Sequence, residues 1–158
     1  VAVIASAEQE LPPLRSEVIV ARDLHANVGP LGGLSAGLNA LSDVADAVYV
    51  TSCDSPFLHA GFIRAVISSL GTADMAIPRD RDYHHPLAAV YRTSLAPTVE
   101  RLLSEGIRRP VALLESATVV EVDVAQLRQC DPDLQSLQNM NTPHDYQEAL
   151  LAAGFPNP

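Results

Sequence analysis

Apolar residues in this chain follow two patterns, short unbroken runs and stretches where they recur at helical spacing. Residues 1–7 (VAVIASA) form an unbroken run, the signature of a strand covered on both faces in a parallel sheet. Pro12 and Pro13 make 8–15 a loop or a short irregular helix, and 17–21 reads as a second strand ending at Arg22 and Asp23. A loop over 24–28 leads into a predicted helix over 30–41. Strands follow at 47–51 (AVYVT), 73–77, 87–91 (LAAVY) and 118–122, separated by helical patterns at 61–70, 95–104 and 110–116. The polar segment RDRDYHHP lies between the second and third of these strands. A loop from Leu134 carries QNMNTP into a last helix over 143–153, with Thr142 as its N-cap and Asp145 in its first turn. The tail GFPNP is expected to fray. Strands alternating with helices over short loops predict an α/β domain with a mostly parallel sheet.

Composition narrows the function classes. At 158 residues one domain is expected, and 47% hydrophobic residues supply a sizeable core. A net charge of −9 argues against a nucleic-acid surface and against attraction to an anionic membrane. All ten basic residues are arginine, so lysine-dependent chemistry has no residue to act through. Cys53 and Cys130 give no disulfide framework and no CxxC pattern, which favours a reduced, cytoplasmic setting. No apolar run has the length of a membrane span, and no charged-then-apolar signal-peptide pattern is expected from these residues.

Four stretches carry candidate chemistry. GPLGGLSAGL (29–38) combines helix-start signals with glycines. Pro30 suits a first helical turn, whereas Gly32 and Gly33 weaken it by about 1 kcal/mol each relative to Ala. Such a cost points to close backbone approach, either by an anion at the helix N-terminus or by a packed neighbour. TSCDSP places Asp54 just beyond strand AVYVT, where ligands bind in open α/β sheets. A single such carboxylate suffices for Mg²⁺ shared with substrate phosphates, and helix capping is the alternative. Asp23 stands at the end of the preceding strand, beside Arg22 and His25. His84-His85-Pro86 pairs two histidines, but neighbours in an extended chain point opposite ways and no second pair has zinc spacing. Asn139 and Asn141 alternate before the last helix, so an extended loop would turn both amides to one side, toward a ligand or into turn and cap bonds. No GxSxG, Walker or HExxH pattern occurs.

Taken in order, GPLGGLSAGL, YVTSCDSPFL, HHPLAAVYR and NMNTPHDY resemble the molybdenum cofactor guanylyltransferases, the MobA-type nucleotidyltransferases. The resemblance spans the chain, including RRPVALLE and VVEVDV. It implies a Rossmann-like, three-layer α/β domain over 1–158. The implied reaction joins GMP from GTP to the phosphate of molybdopterin-bound molybdenum, with Mg²⁺ and release of pyrophosphate. By motif, Asp54 takes the metal- and nucleotide-contacting role, and Asp23 and Ser6 contact the nucleotide. Gly29, Pro30, Leu31, Gly32 and Gly33, with His85, Pro86, Asn139 and Asn141, face the pterin-phosphate side. Nucleotidyl transfer of this kind needs positioning and charge neutralisation more than a protein nucleophile.

The family pattern also has a first strand and a glycine-rich loop with a lysine that cradles the triphosphate. Neither occurs in this lysine-free sequence, which opens at Val1 where the family's second strand would lie. The expectation is a chain lacking the triphosphate loop, weakly active or inactive alone, and prone to self-association through the sheet edge the missing strand would cover. Handover of product to molybdoenzymes or their chaperones is a further implied partnership. Two other readings stay open, a cytidylyltransferase of the same family and a non-catalytic module that binds a cofactor phosphate.

Overall fold

The computed structural model describes residues 1–23 and 29–155. The 24–28 loop, with His25, and the last three residues of the GFPNP tail lie outside the described residues. Five strands and helices open the chain: β1 (Ala2–Ser6), β2 (Ile19–Asp23), α1 (Pro30–Leu41), β3 (Ala47–Thr51) and α2 (Ala60–Ser69). After them come β4 (Met75–Asp80), β5 (Tyr83–His84), β6 (Ala88–Arg92), α3 (Ala96–Ser104) and β7 (Val119–Asp123). A short α4 (Val124–Leu127) and α5 (Pro143–Ala152) complete the order, and the predicted helical segment at 110–116 is a 3-10 helix, Pro110–Glu115.

Among the described residues the strands make two sheets. β1 and β2 form a parallel pair, and β3, β6, β4 and β5 follow one another in the second sheet, with β7 also paired to β4. The α/β class read from the sequence is the fold observed. One local departure is the polar RDRDYHHP segment, which extends β4 and returns as β5 in an antiparallel hairpin. Arg79 faces His84 and Asp80 faces Tyr83, so Arg81 and Asp82 alone make the turn. Arg81 takes a left-handed φ of 53°, which Arg-Asp does not advertise as Asn-Gly would. The second departure is β2, which runs to Asp23 because Arg22 and Asp23 still pair with Ala5 and Ser6.

Two compact units divide the chain. The first comprises Val1–Val48, Thr72–Met75 and Val90–Val119. Its centre is α1, which buries Leu31, Leu34 and Leu38 on one stripe at helical spacing and lies against β1, β2 and α3. Val99, Leu102 and Leu113 close the same core. A side-chain clip ties Asp74 to Thr118, whose N–H and hydroxyl both donate to the Asp74 carboxylate, at 2.8 and 2.6 Å. Those bonds, led by the hydroxyl, hold the Asp74 carboxyl below its ordinary pKa.

The second unit comprises Tyr49–Gly71, Ala76–Ala89 and Val120–Pro158. Phe62 and Val66 of α2, Ile77, Ala89 and Leu127 are buried in it. Helix α5 starts as the sequence predicts: Thr142 Oγ1 accepts from the Asp145 N–H, and the Asp145 carboxylate accepts from the Thr142 N–H. This reciprocal capping satisfies two donors that the first turn would otherwise leave free.

Candidate active site

In the first unit the parallel register brings Ser6 and Asp23 side by side at the carboxyl ends of β1 and β2. Arg22 fixes the turn after β1, donating from one guanidinium nitrogen to the carbonyls of Ser6 (3.0 Å) and Gln9 (2.6 Å). A cavity of about 600 Å³ opens here, walled by Asp23, by Gly32, Ser35 and Asn39 of α1, and by Glu100 and Arg108. Of the helix-start residues Gly29, Pro30, Leu31, Gly32 and Gly33, Gly32 alone is among its lining residues.

The other residues of that start have packing roles. Gly29 has φ 67°, and a Cβ placed there would stand 3.2 Å from the Arg108 carbonyl oxygen. That carbonyl accepts the Leu31 N–H at 3.2 Å, so one of the donors at the helix start is already used. The Leu31 side chain is fully buried, and Gly33 faces the Ile4 side chain. Close approach by a packed neighbour therefore accounts for Gly29, whereas a Cβ at Gly33 would make only ordinary contact with Ile4, at 3.9 Å. Pro30 is exposed at the first helical position.

In the second unit, His85, Pro86, Asn139 and Asn141 line one cavity of about 320 Å³, together with Ser52, Ser55, Tyr83 and Ser136. Four residues singled out in two separate sequence motifs thus meet at one place, beside the two serines of a third. The volume is at the lower end for small-molecule sites. Asp54 lies between the two lining serines, on the turn that leaves β3. Its backbone carbonyl accepts the Met140 N–H at 2.9 Å, which pins the 139–141 loop to the TSCDSP turn. The other end of the loop is held by Asp145, whose carboxylate takes the N–H groups of Asn141 and Thr142, both at 2.9 Å.

The Asp54 carboxylate is placed unusually. Its Oδ1 is buried and has no hydrogen-bond partner among the described residues. A buried carboxylate oxygen without a donor is costly unless something else fills the position. A hard cation suits such an oxygen, and helix capping is not what Asp54 does, since the N-cap of α2 is His59.

The two histidines diverge as an extended chain requires. His84 Nε2 meets Glu121 Oε1 at 2.6 Å, and Arg79 donates to the other Glu121 oxygen, also at 2.6 Å. These two bonds, the histidine's first, hold the Glu121 carboxyl below its usual range. His85 turns to the cavity, and the Tyr83 ring meets it edge-on with centroids 4.8 Å apart. Burial lowers the His85 pKa from its ordinary 6.5, against the opposing charge of Asp80, so the imidazole is neutral at neutral pH.

Sequence reasoning missed Ser52, Ser55, Tyr83 and Ser136. Ser52 and Ser55 flank Asp54 inside a motif already marked, so proximity in sequence was their one available signal. Tyr83 becomes a lining residue only through the hairpin. Ser136 accepts the His59 N–H at 2.9 Å and is itself held by Asp131, contacts that join segments distant in sequence.

Each unit presents carboxylates or polar side chains at strand ends, Ser6 and Asp23 at β1 and β2 in the first and Asp54 just beyond β3 in the second, as in α/β proteins that bind ligands there. The sequence profile of the MobA-like NTP transferase domain matches residues 1–122. The chain belongs to that nucleotidyltransferase family. It is 31% identical over 151 residues to the molybdenum cofactor guanylyltransferase of Desulfosudis oleivorans, covering 94% of this chain and 74% of the relative. A probable molybdenum cofactor guanylyltransferase of Methanothermobacter thermautotrophicus is 35% identical over 136 residues, covering 84% of this chain and 66% of the relative. The crystal structure of molybdopterin-guanine dinucleotide biosynthesis protein A from Archaeoglobus fulgidus matches with a TM-score of 0.72 and 33% identity. That match covers 86% of this chain and 68% of the solved one, so the chain spans about two thirds of that protein's length.

Proposed function

We propose that this chain carries the transfer chemistry of a molybdenum cofactor guanylyltransferase, joining GMP from GTP to the phosphate of the pterin cofactor. A phosphate oxygen of the acceptor attacks the α-phosphorus of GTP and forms a new P–O bond. The bond from that phosphorus to the oxygen bridging the β-phosphate breaks, and pyrophosphate leaves with the electron pair. No protein nucleophile is needed, and an acceptor phosphate already ionised has no proton to lose. The names carried by relatives at 31–35% identity support this substrate pair.

The observation that carries the reading is the buried, unpartnered Oδ1 of Asp54. Its single hard donor fits Mg²⁺, and Asp54 would hold the ion. Bound there, the cation would neutralise charge on the attacked phosphate and on the leaving pyrophosphate. Asp23 and Ser6, adjacent across the β1–β2 ladder, are assigned to the nucleotide. His85, Pro86, Asn139 and Asn141 are assigned to the pterin and its phosphate, and the helix start from Gly29 to Gly33 offers Gly32 as its cavity-lining member.

Substitution of Asp54 tests the assignment on two axes. Asp54→Asn removes a charge that no protein donor satisfies, so thermal stability should hold or rise. Pyrophosphate release by the full-length protein should fall on the order of 10³-fold, as expected when a charge-neutralising group is lost. Near-normal turnover with Asp54→Asn would sink the proposal.

A further inference from the structure

In the wall of the second unit's cavity a hydroxyl, a second hydroxyl and an amide form a directed chain. Ser55 Oγ donates to Asn139 Oδ1 at 3.0 Å. A serine hydroxyl has one proton, so Ser55 has none left for Ser52. The 3.0 Å contact between the two hydroxyls therefore runs from Ser52 to Ser55. Polarity is fixed along the line, from Ser52 through Ser55 to the Asn139 carbonyl. Ser55 is only 8% exposed, so bulk water does not compete for these bonds.

The far end of Asn139 is then defined. Its oxygen is engaged, and its NH₂ group, with two protons, is the end left for the cavity whose wall it forms. The backbone beside Asn139 is anchored, the Met140 N–H being bonded to the Asp54 carbonyl at 2.9 Å, so the amide's orientation is set by its bond from Ser55. Among the described residues no arginine lines the cavity, and the sequence contains no lysine. His85, kept neutral by burial, brings no charge either. The donors this wall offers an anionic group are neutral among the described residues, and which end of the amide faces that group decides between attraction and repulsion.

We propose that Ser55, backed by Ser52, is a positioning residue that turns the NH₂ of Asn139 toward the cavity and makes this wall selective for an anionic phosphate oxygen of the acceptor. The proposal rests on the reading of this cavity as the site of a phosphorylated pterin. It adds the device by which the phosphate is distinguished from an uncharged group.

The test compares two fluorescent probes, 6-hydroxymethylpterin and its phosphate monoester, with inorganic phosphate as a third ligand. The unaltered protein should bind the monoester about tenfold or more tightly than the unphosphorylated pterin, the scale of a charge-assisted hydrogen bond. Ser55→Ala should erase most of that preference, weakening the monoester far more than the unphosphorylated pterin. Ser55→Thr, which restores a hydroxyl, should recover the preference. Asn139→Asp guards against a folding artefact, since it keeps an oxygen for Ser55 but replaces the donors with a negative charge. It should abolish the preference without lowering the melting temperature. A full preference in Ser55→Ala, or equal weakening of both probes, overturns the positioning role. If the unaltered protein binds neither pterin, the acceptor reading fails. In that case, inorganic phosphate binding lost in Ser55→Ala and kept in Ser55→Thr upholds the donor wall by itself, and its insensitivity to both overturns it.

Discussion

Two glycines of the helix start make opposite demands, and a methyl group separates them. At Gly29 the backbone is left-handed and the Arg108 carbonyl is close, so Gly29→Ala should cost about 1–2 kcal/mol or more. At Gly33, inside α1, an added Cβ would meet only Ile4, at 3.9 Å. Gly33→Ala should therefore stabilise the protein by up to about 1 kcal/mol. Urea unfolding of the two variants reads both, and the reverse order would refute the packing account. The sequence left this choice open because the deciding atom belongs to Arg108, remote along the chain. Asp54 could be singled out from sequence for the opposite reason, since a strand followed at once by Ser-Cys-Asp-Ser-Pro is a local signal. The hydrogen-bond roles of Ser52 and Ser55 were not, because Asn139 defines them and its loop arrives from far along the chain.

Elements whose start signals are local were readable to within a residue or two. Helix α1 begins at Pro30 and α5 at Pro143, each announced by the proline and, for α5, by Thr142 and Asp145 three positions apart. The β4–β5 hairpin escaped notice because its turn, Arg81-Asp82, lacks the glycine or asparagine that a left-handed φ favours. That mismatch is testable. Arg81→Gly should stabilise the hairpin by about 1 kcal/mol, the left-handed cost less the entropy glycine loses on folding. The Arg79 side chain would keep its bond to the residue 81 carbonyl, since that contact is to backbone. Thermal unfolding gives the sign, and a loss of stability would show that the arginine side chain has a role of its own. The late end of β2 has the same lesson at smaller scale. Charged Arg22 and Asp23 look like a loop, yet the ladder with Ala5 and Ser6 keeps them extended.

For the molecule as a whole, class and sheet elements followed from hydrophobic patterning, while the meeting of three motifs in one cavity needed the chain's path through space. One such meeting sets a pH dependence. Unfolded His85 takes a proton near its ordinary pKa of 6.5, whereas the folded form holds out to lower pH. Between those two values the unfolded state binds more protons, so stability falls as pH drops and is level above about 6.5 with respect to this group. His85→Gln should flatten that part of a stability profile measured against pH, and an unchanged slope would remove the burial account of His85. The division into two units has a different consequence. The chain passes from one unit to the other at 48/49, 71/72, 75/76, 89/90 and 119/120, and β3, β4, β6 and β7 each begin in one and end in the other. No single proteolytic cut can free either unit as one continuous polypeptide. Each unit is instead assembled from separate stretches of the chain, so a substitution in any one of these strands is felt in both.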